Sequence, residues 1–204
     1  GYIVDCDIIP STVMATVSVS SPSKEVPIIV RTIGTMAEDL ALDSISLDHS
    51  TVTIYGSNNV LSLIDAVYVD VDVTNLTKNT ALSTTLNLPS GVNKMSVTKI
   101  NMEIVVGEKT SREIKNVKVA YSNLNSDFKV KLVDENDVTV NVIVYGTKNN
   151  IDKLTADDIA VNIDMSSVTD VGLQQVPIYV SGNNLLVEYQ IADGRKYIQI
   201  EVAQ

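Results

Sequence analysis

Asp48-His49-Ser50 sets side by side the three group types of nucleophilic acyl transfer: a carboxylate, an imidazole and a hydroxyl. Members of a working triad, however, meet in space from distant chain positions, and neighbours along a strand or turn point in different directions. No Gly-x-Ser-x-Gly elbow presents a nucleophile either. His49, the only histidine, is therefore expected at the surface, in a turn between strands. Cys6, the only cysteine, would need a positioned base to act as a nucleophile, and it forms no metal set with His49. It reads as a small buried or incidental residue. Asp70 and Asp72 lie two apart, ~7 Å at Cα on a strand, which overlaps workable glycosidase separations. A sugar platform is missing, since the chain has no Trp and its one Phe is Phe128. Asp134-Glu135-Asn136-Asp137 and Asp157-Asp158 are oxygen-rich, but calcium needs six to eight oxygens, and the EF-hand spacing with its Gly and closing Glu is absent. The first of these lies where a turn is needed between Leu132 and Val138, so a solvated turn is the better reading. No catalytic residue, metal set or cofactor site is expected.

What the chain does say, it says twice. The stretch 51–73 is a strand-like apolar run ending in Tyr55-Gly56, then Ser and Asn, then a short Leu/Ile patch, then Val and Asp in alternation to Asp72. The stretch 142–165 repeats that order around Tyr145-Gly146 and Asp164. The two Tyr-Gly pairs are ninety positions apart and the two aspartates ninety-two, so the second copy carries about two extra residues between them. A tandem repeat of roughly domain size follows. Tyr55, Gly56, Asp72, Tyr145, Gly146 and Asp164 are its structural signature. Each glycine is expected to supply a position tolerant of positive φ after a strand end, because no Gly-rich loop or Lys-Ser/Thr follows to cradle a phosphate.

Something must position these signatures, and the palette is that of β structure. Hydrophobic residues make up 45% of 204, Val, Ile and Leu dominate, and Tyr is frequent. Strands are expected over 26–32, 40–47, 51–55, 67–74, 82–88 and 97–106 in the first copy. The second copy offers 114–121, 128–132, 138–145, 159–165, 176–180, 185–191 and 197–202. Short helical patches are expected at 60–64 and 151–154, with nothing to support a helix of ten or more residues. Pro89-Ser90-Gly91 reads as a turn, and Ser181-Gly182-Asn183 and Asp193-Gly194 as hairpins. In Val69-Asp70-Val71-Asp72-Val73 the valines share one face and the aspartates the other. A one-residue slip would bury two carboxylates, so the register is strongly specified, in the manner of an antiparallel strand with one dry and one wet face. The class is all-β with minor short helices.

Turn-type residues at 20–24 and 107–111 mark the junctions, dividing the chain into 1–20, 21–107 and 108–204. The junctions are too short for floppy spacers, so the copies are expected end to end. Residues 1–20 alternate through Val13, Ala15, Val17 and Val19, much as Ile100, Met102, Ile104 and Val106 do. They are expected to be the trailing strand of a preceding repeat behind a tag scar at Gly1, which makes the chain a fragment of a protein with at least three copies. No run approaches the ~18 apolar residues of a membrane span, and a fragment leaves room for an anchor elsewhere. A net charge of −10 repels phosphate backbones, and Lys115/Lys118 and Lys129/Lys131 read as polar strand faces, so nucleic acid is not an expected partner. Cysteine scarcity fits the cytoplasm and equally the surface of organisms whose exported proteins avoid Cys.

Taken in order, these residues resemble the YbbR-like repeat. Its strand before an aromatic-Gly pair matches Val52-Thr53-Ile54-Tyr55-Gly56 and Val142-Ile143-Val144-Tyr145-Gly146. Its Leu-rich turn and Val-Asp-Val strand match Val60-Leu61-Ser62-Leu63 with Val71-Asp72-Val73, and Ile151-Asp152-Lys153-Leu154 with Ile163-Asp164-Met165. Leu86-Asn87-Leu88 and Pro89-Ser90-Gly91-Val92 supply the closing strand and turn; the second copy supplies Val176-Pro177-Ile178-Tyr179-Val180 and departs by replacing Pro-x-Gly with Ser181-Gly182-Asn183. The resemblance implies two tandem elongated β modules similar to the C-terminal domain of L25-type ribosomal proteins. It also implies a protein held by one N-terminal membrane helix outside this chain, with its repeats on the extracytoplasmic face of a Gram-positive cell. There it would regulate a membrane diadenylate cyclase, whose product is cyclic di-AMP, without catalysis of its own. The rival reading is a spacer that binds cell-wall polymer or another surface ligand, for which a groove lined by Tyr68, Tyr121, Tyr179 and Tyr189 would be the sign. Pairing of edge strands would make self-association possible. The L25-like echo suggests RNA, which the acidic balance opposes.

Overall fold

The computed structural model describes residues 21–204 together with Met14. Cys6 and the expected trailing strand lie outside the described residues. The first copy contributes β1 (Ser23–Ile33), β2 (Leu40–Leu47), β3 (Thr51–Gly56), a one-turn helix α1 (Asn58–Leu61), β4 (Val67–Asp72), β5 (Thr80–Thr85), β6 (Val92–Met95) and β7 (Lys99–Glu108). The second contributes β8 (Thr110–Ser122), β9 (Lys129–Leu132), β10 (Thr139–Gly146), α2 (Lys148–Ile151), β11 (Ile159–Asp164), β12 (Gly172–Gly182), β13 (Glu188–Ile191) and β14 (Tyr197–Ala203), with 3-10 turns at Glu135–Val138 and Ala156–Asp158. The described residues are mostly strand with two one-turn helices, as a β-branched palette dictates.

One long strand organises each copy. β1 pairs antiparallel with β3 over 23–27 and then parallel with β4 over 28–33. β8 does the same, antiparallel with β10 and then parallel with β11. A strand that changes neighbours half-way joins an antiparallel ladder to a parallel one in each copy. The alternation along 67–73 holds: Val67, Val69, Val71 and Val73 are buried, and Asp70 and Asp72 are exposed. Its pairing differs from the antiparallel expectation, because β4 lies parallel to β1. One wet face needs only that nothing covers it, so β4 stays amphipathic in a parallel ladder at the sheet edge.

The copies diverge in how their sheets close. The first splits into β4-β1-β3-β6 and β2-β7-β5, whereas the second forms one seven-stranded sheet, β13-β10-β8-β11-β12-β14-β9. β12 makes the difference, pairing with β14 over 172–177 and then with β11 over 178–182. The counterpart β5 stops at Thr85, and Pro89 soon follows, which has no amide to donate to a ladder. The expected strand 82–88 is therefore shifted, and the short β6 after the turn was not anticipated.

Ser181-Gly182 is strand rather than hairpin turn. A Cβ at Gly182 would fall 2.2 Å from the Tyr189 ring, so glycine is needed there because an aromatic lies against the backbone. The turn equivalent to Pro89–Val92 is Asn184–Val187, since the Val92 amide donates to the Pro89 carbonyl and the Val187 amide to the Asn184 carbonyl. Asp193-Gly194 does turn, with Gly194 at φ 69, but it joins β13 to β14, which pair with different strands. It is a corner between sheet regions. The helical turns begin a little earlier than expected, directly after each Tyr-Gly pair.

Two cores result. One gathers Val26, Val52, Ile54, Val69, Ile100 and Ile104, among others. The other gathers Val117, Val142, Val144, Ile163, Met165 and Ile200 with their neighbours. Leu186, from the second copy, packs against the first core.

Candidate functional site

The signature residues sit at equivalent places. Tyr55-Gly56 and Tyr145-Gly146 end β3 and β10, and both glycines are buried. Neither adopts positive φ, contrary to expectation; what glycine provides is room. A Cβ at Gly146 would stand 3.1 Å from Ile151 Cγ2 and 3.2 Å from Val187 Cγ2, and one at Gly56 would meet the Gly91 carbonyl at 3.4 Å. Strand, helical turn and following strand converge on that point. The Lys94 ammonium lies 6.0 Å from the Tyr55 ring centroid, and the Lys109 ammonium 5.5 Å from that of Tyr145.

Asp72 and Asp164 close the parallel strands with the same local turn. Asp72 accepts from the Thr74 amide at 2.8 Å, and Asp164 from the Ser166 amide at 3.0 Å and the Asn123 side chain at 3.0 Å. Gly34 (φ 86) and Asn123 (φ 58) follow β1 and β8 in left-handed backbone beside these carboxylates. The Thr74 hydroxyl and amide hold the Asp72 carboxyl below its ordinary value of 3.8, against a smaller upward push from desolvation. The Asn123 amide, then the Ser166 amide and hydroxyl, lower Asp164 likewise. A carboxylate depressed in the folded state adds stability that is fully present above the unfolded value and lost as pH falls through the folded one. Chemical-denaturation midpoints should therefore stay level from neutrality to about pH 5 and fall below about pH 4. Asp72→Asn keeps an oxygen for the Thr74 amide but removes the titration, so its acid limb should be shallower than that of the unaltered protein. An identical limb would show that this turn contributes nothing to it.

The other candidates are structural. His49 is exposed in the bend after β2, as expected, but its Nδ1 does reach Asp48, at 3.1 Å, because the bend breaks strand alternation. Asp48 is occupied as a receptor for the Asn101 amide (3.0 Å) and side chain (2.7 Å), and Ser50 makes no side-chain hydrogen bond to the ring. Asp70 pairs with Arg31 at 2.8 Å, and that guanidinium lies 4.9 Å from the centroid of the Tyr68 ring. Asp134 caps the 3-10 turn through the Asn136 amide, and Asp137 is held by Arg195, which also grips Asp193. Asp158 accepts from the Thr155 amide and hydroxyl. Among the described residues no group of three metal-ligating side chains stands together. The tyrosine groove is not formed. Tyr68 is on the first copy's sheet and Tyr189 is half-buried against Gly182. Tyr121 and Tyr179 register with adjacent β11 residues, Ile163 and Asn162, and so point to opposite faces.

The site that sequence reasoning missed is the seam between copies. β2 carries a bulge between Leu42 and Ser44, which re-aims Asp43 toward α2. One Asp43 oxygen accepts from the Thr147 hydroxyl at 2.6 Å and the Asn149 side chain at 3.2 Å. The Asn150 amide donates to the Leu42 and Asp43 carbonyls at 3.1 and 2.9 Å. Thr147, 4% exposed, is the one buried polar side chain among the described residues, and Gly107 leaves room for its methyl. The Lys109 amide donates to the Asp39 carbonyl, and its ammonium pairs with Glu188 at 3.0 Å. Beside these bonds is a cavity of about 210 Å³ lined by Met36, Leu42, Val73, Tyr145, Leu186 and Glu188, among others. These bonds hold the Asp43 carboxylate and the Thr147 hydroxyl to each other and so fix one copy against the other. The only sequence signal was the pair Asn149-Asn150 where the first copy has Asn59-Val60.

The family model for YbbR-like proteins matches residues 26–104. The chain is 30% identical over 183 residues, 89% of its length, to the CdaA regulatory protein CdaR of Bacillus subtilis (strain 168). Residues 26–104 are thus a YbbR-like repeat. The chain's match spans 38% of the length of that Bacillus relative. Among solved structures, a YbbR-like domain of a Listeria monocytogenes protein resembles 46% of this chain over 92% of its own, at 19% identity and TM-score 0.39. A YbbR-like protein from Streptococcus pneumoniae resembles 93% of this chain over 98% of its own, at 15% identity and TM-score 0.35. This chain thus has a regulatory protein as a relative, and its own described residues present a joint between modules.

Proposed function

We propose that this chain is the non-enzymatic, extracytoplasmic part of a membrane-anchored regulator of a diadenylate cyclase, acting in cyclic di-AMP signalling. The observation that carries the reading is the identity to a CdaA regulatory protein across nearly the whole chain. Two modules, 21–107 and 108–204, would act as a stiff arm, because the seam is bonded through side chains and backbone and filled by Leu186. No described helix is long and apolar enough to cross a membrane, so in this reading the anchor is contributed by another part of the protein. The partner is the cyclase itself, met by protein–protein contact at the membrane.

The test is cyclic di-AMP in cells co-expressing the cyclase with the full-length protein, either intact or with these modules deleted and its anchor kept. The expected result is a changed cyclic di-AMP level on deletion. Indistinguishable levels would assign regulation to the anchor and overturn a regulatory role for the modules.

A further inference from the structure

The corner after β3 repeats the corner that holds Asp43, yet nothing in the described residues covers it. Ser57 and Asn59 follow Gly56 as Thr147 and Asn149 follow Gly146. The backbone is the same at both: Ser57 has φ −71 and ψ 149, Thr147 φ −70 and ψ 152. The helical turns that follow also end alike, at Ser62 and Asp152. In the second copy the hydroxyl and amide of this corner converge on one carboxylate oxygen of the neighbouring module. In the first copy the Ser57 and Asn59 side chains are exposed and make no hydrogen bond among the described residues.

We propose that the Ser57–Asn59 corner is a docking surface for a preceding module of this same kind, which presents a carboxylate from its bulged edge strand. The occupant follows from the interface already present in the chain: a surface of this composition and backbone shape is met, in the second copy, by the Asp43 bulge. Two further observations leave room for such a module. The match spans only 38% of its Bacillus relative, and residues 13–19 carry the alternating pattern that the first copy's last strand carries before its seam. The upstream joint differs in one respect. Val60 stands where Asn150 reads two backbone carbonyls, and it packs toward Gly91 instead. Carboxylate capture is retained and carbonyl reading is lost, so this joint is the looser of the two. The inference concerns assembly of modules and stands apart from any role in cyclase control.

Hydrogen exchange tests it. The 204-residue chain is compared with the natural polypeptide extended upstream of Tyr2, following the amides of 58–62. About tenfold slower exchange is expected in the extended protein, the loss of one charge-assisted contact being worth on that order. Ser57→Ala with Asn59→Ala should abolish the slowing while leaving the amides of 148–152 unchanged. Both positions are exposed, and an unaltered circular-dichroism melt verifies that the fold is kept. Equal exchange in the two proteins overturns the proposal. So does protection that grows with protein concentration, which would assign the corner to a second copy of the chain.

Discussion

Ile163→Ala is expected to destabilise the second copy by about 2–5 kcal/mol, the range for truncating a large buried aliphatic side chain. Ile163 is fully buried on β11, flanked in register by Tyr121 of β8 and Ile178 of β12. It thus sits where the parallel ladder with the organising strand meets the antiparallel ladder that closes the seven-stranded sheet. Three strands would line the void, and strands tied by ladders on both sides collapse poorly into empty space. Ile163→Val removes one methylene and should cost only about 0.5–1.5 kcal/mol. Guanidinium unfolding followed by calorimetry checks both. A loss below about 1 kcal/mol for the alanine variant would mean that β12 can shift inward to fill the gap.

Asp43→Ala should cost about 1–3 kcal/mol, through the seam rather than a core. The variant leaves the Thr147 hydroxyl buried without its acceptor, and an orphaned buried donor bears its full desolvation penalty. Asn149 loses the same acceptor, whereas the Asn150 bonds to backbone carbonyls survive. Amides at 147–151 and 39–44 should therefore exchange about tenfold to a hundredfold faster, with those of β11 and β4 unaffected. Asp43→Asn keeps an acceptor oxygen in place and should recover most of the protection. Unchanged exchange in Asp43→Ala would show that Leu186 and the Lys109–Asp39 bond hold the copies together without the carboxylate.

Much of this fold was legible in one dimension, and the reason is local. Side chains alternate along any strand, so the valines of 67–73 declare a buried face before a partner is known. The strands at 40–47, 51–56 and 197–203 were bounded to within a residue for that reason. The Pro89–Val92 turn was readable because proline fixes its own φ and glycine tolerates the positive φ that Gly91 adopts. Repetition of Tyr-Gly and of Asp at a near-constant interval pointed to two copies, since the same local physics had been written twice. The order of those motifs was also enough to point to the YbbR-like family.

What the sequence could not hold was the choice of neighbours. Alternation does not say whether β4 lies parallel or antiparallel to β1, because either ladder satisfies its backbone and leaves its aspartates wet. Gly182 and Gly146 look like turn glycines in a string of letters; only packing shows that Tyr189, and Ile151 with Val187, need their missing Cβ. Asp43 looked like one more polar residue on an edge strand until a bulge turned it toward Thr147, more than a hundred positions away. Local periodicity is a property of the chain by itself and survives in its letters. Pairing, clearance and the joint between copies are contacts between distant segments, and they exist only once the chain has folded.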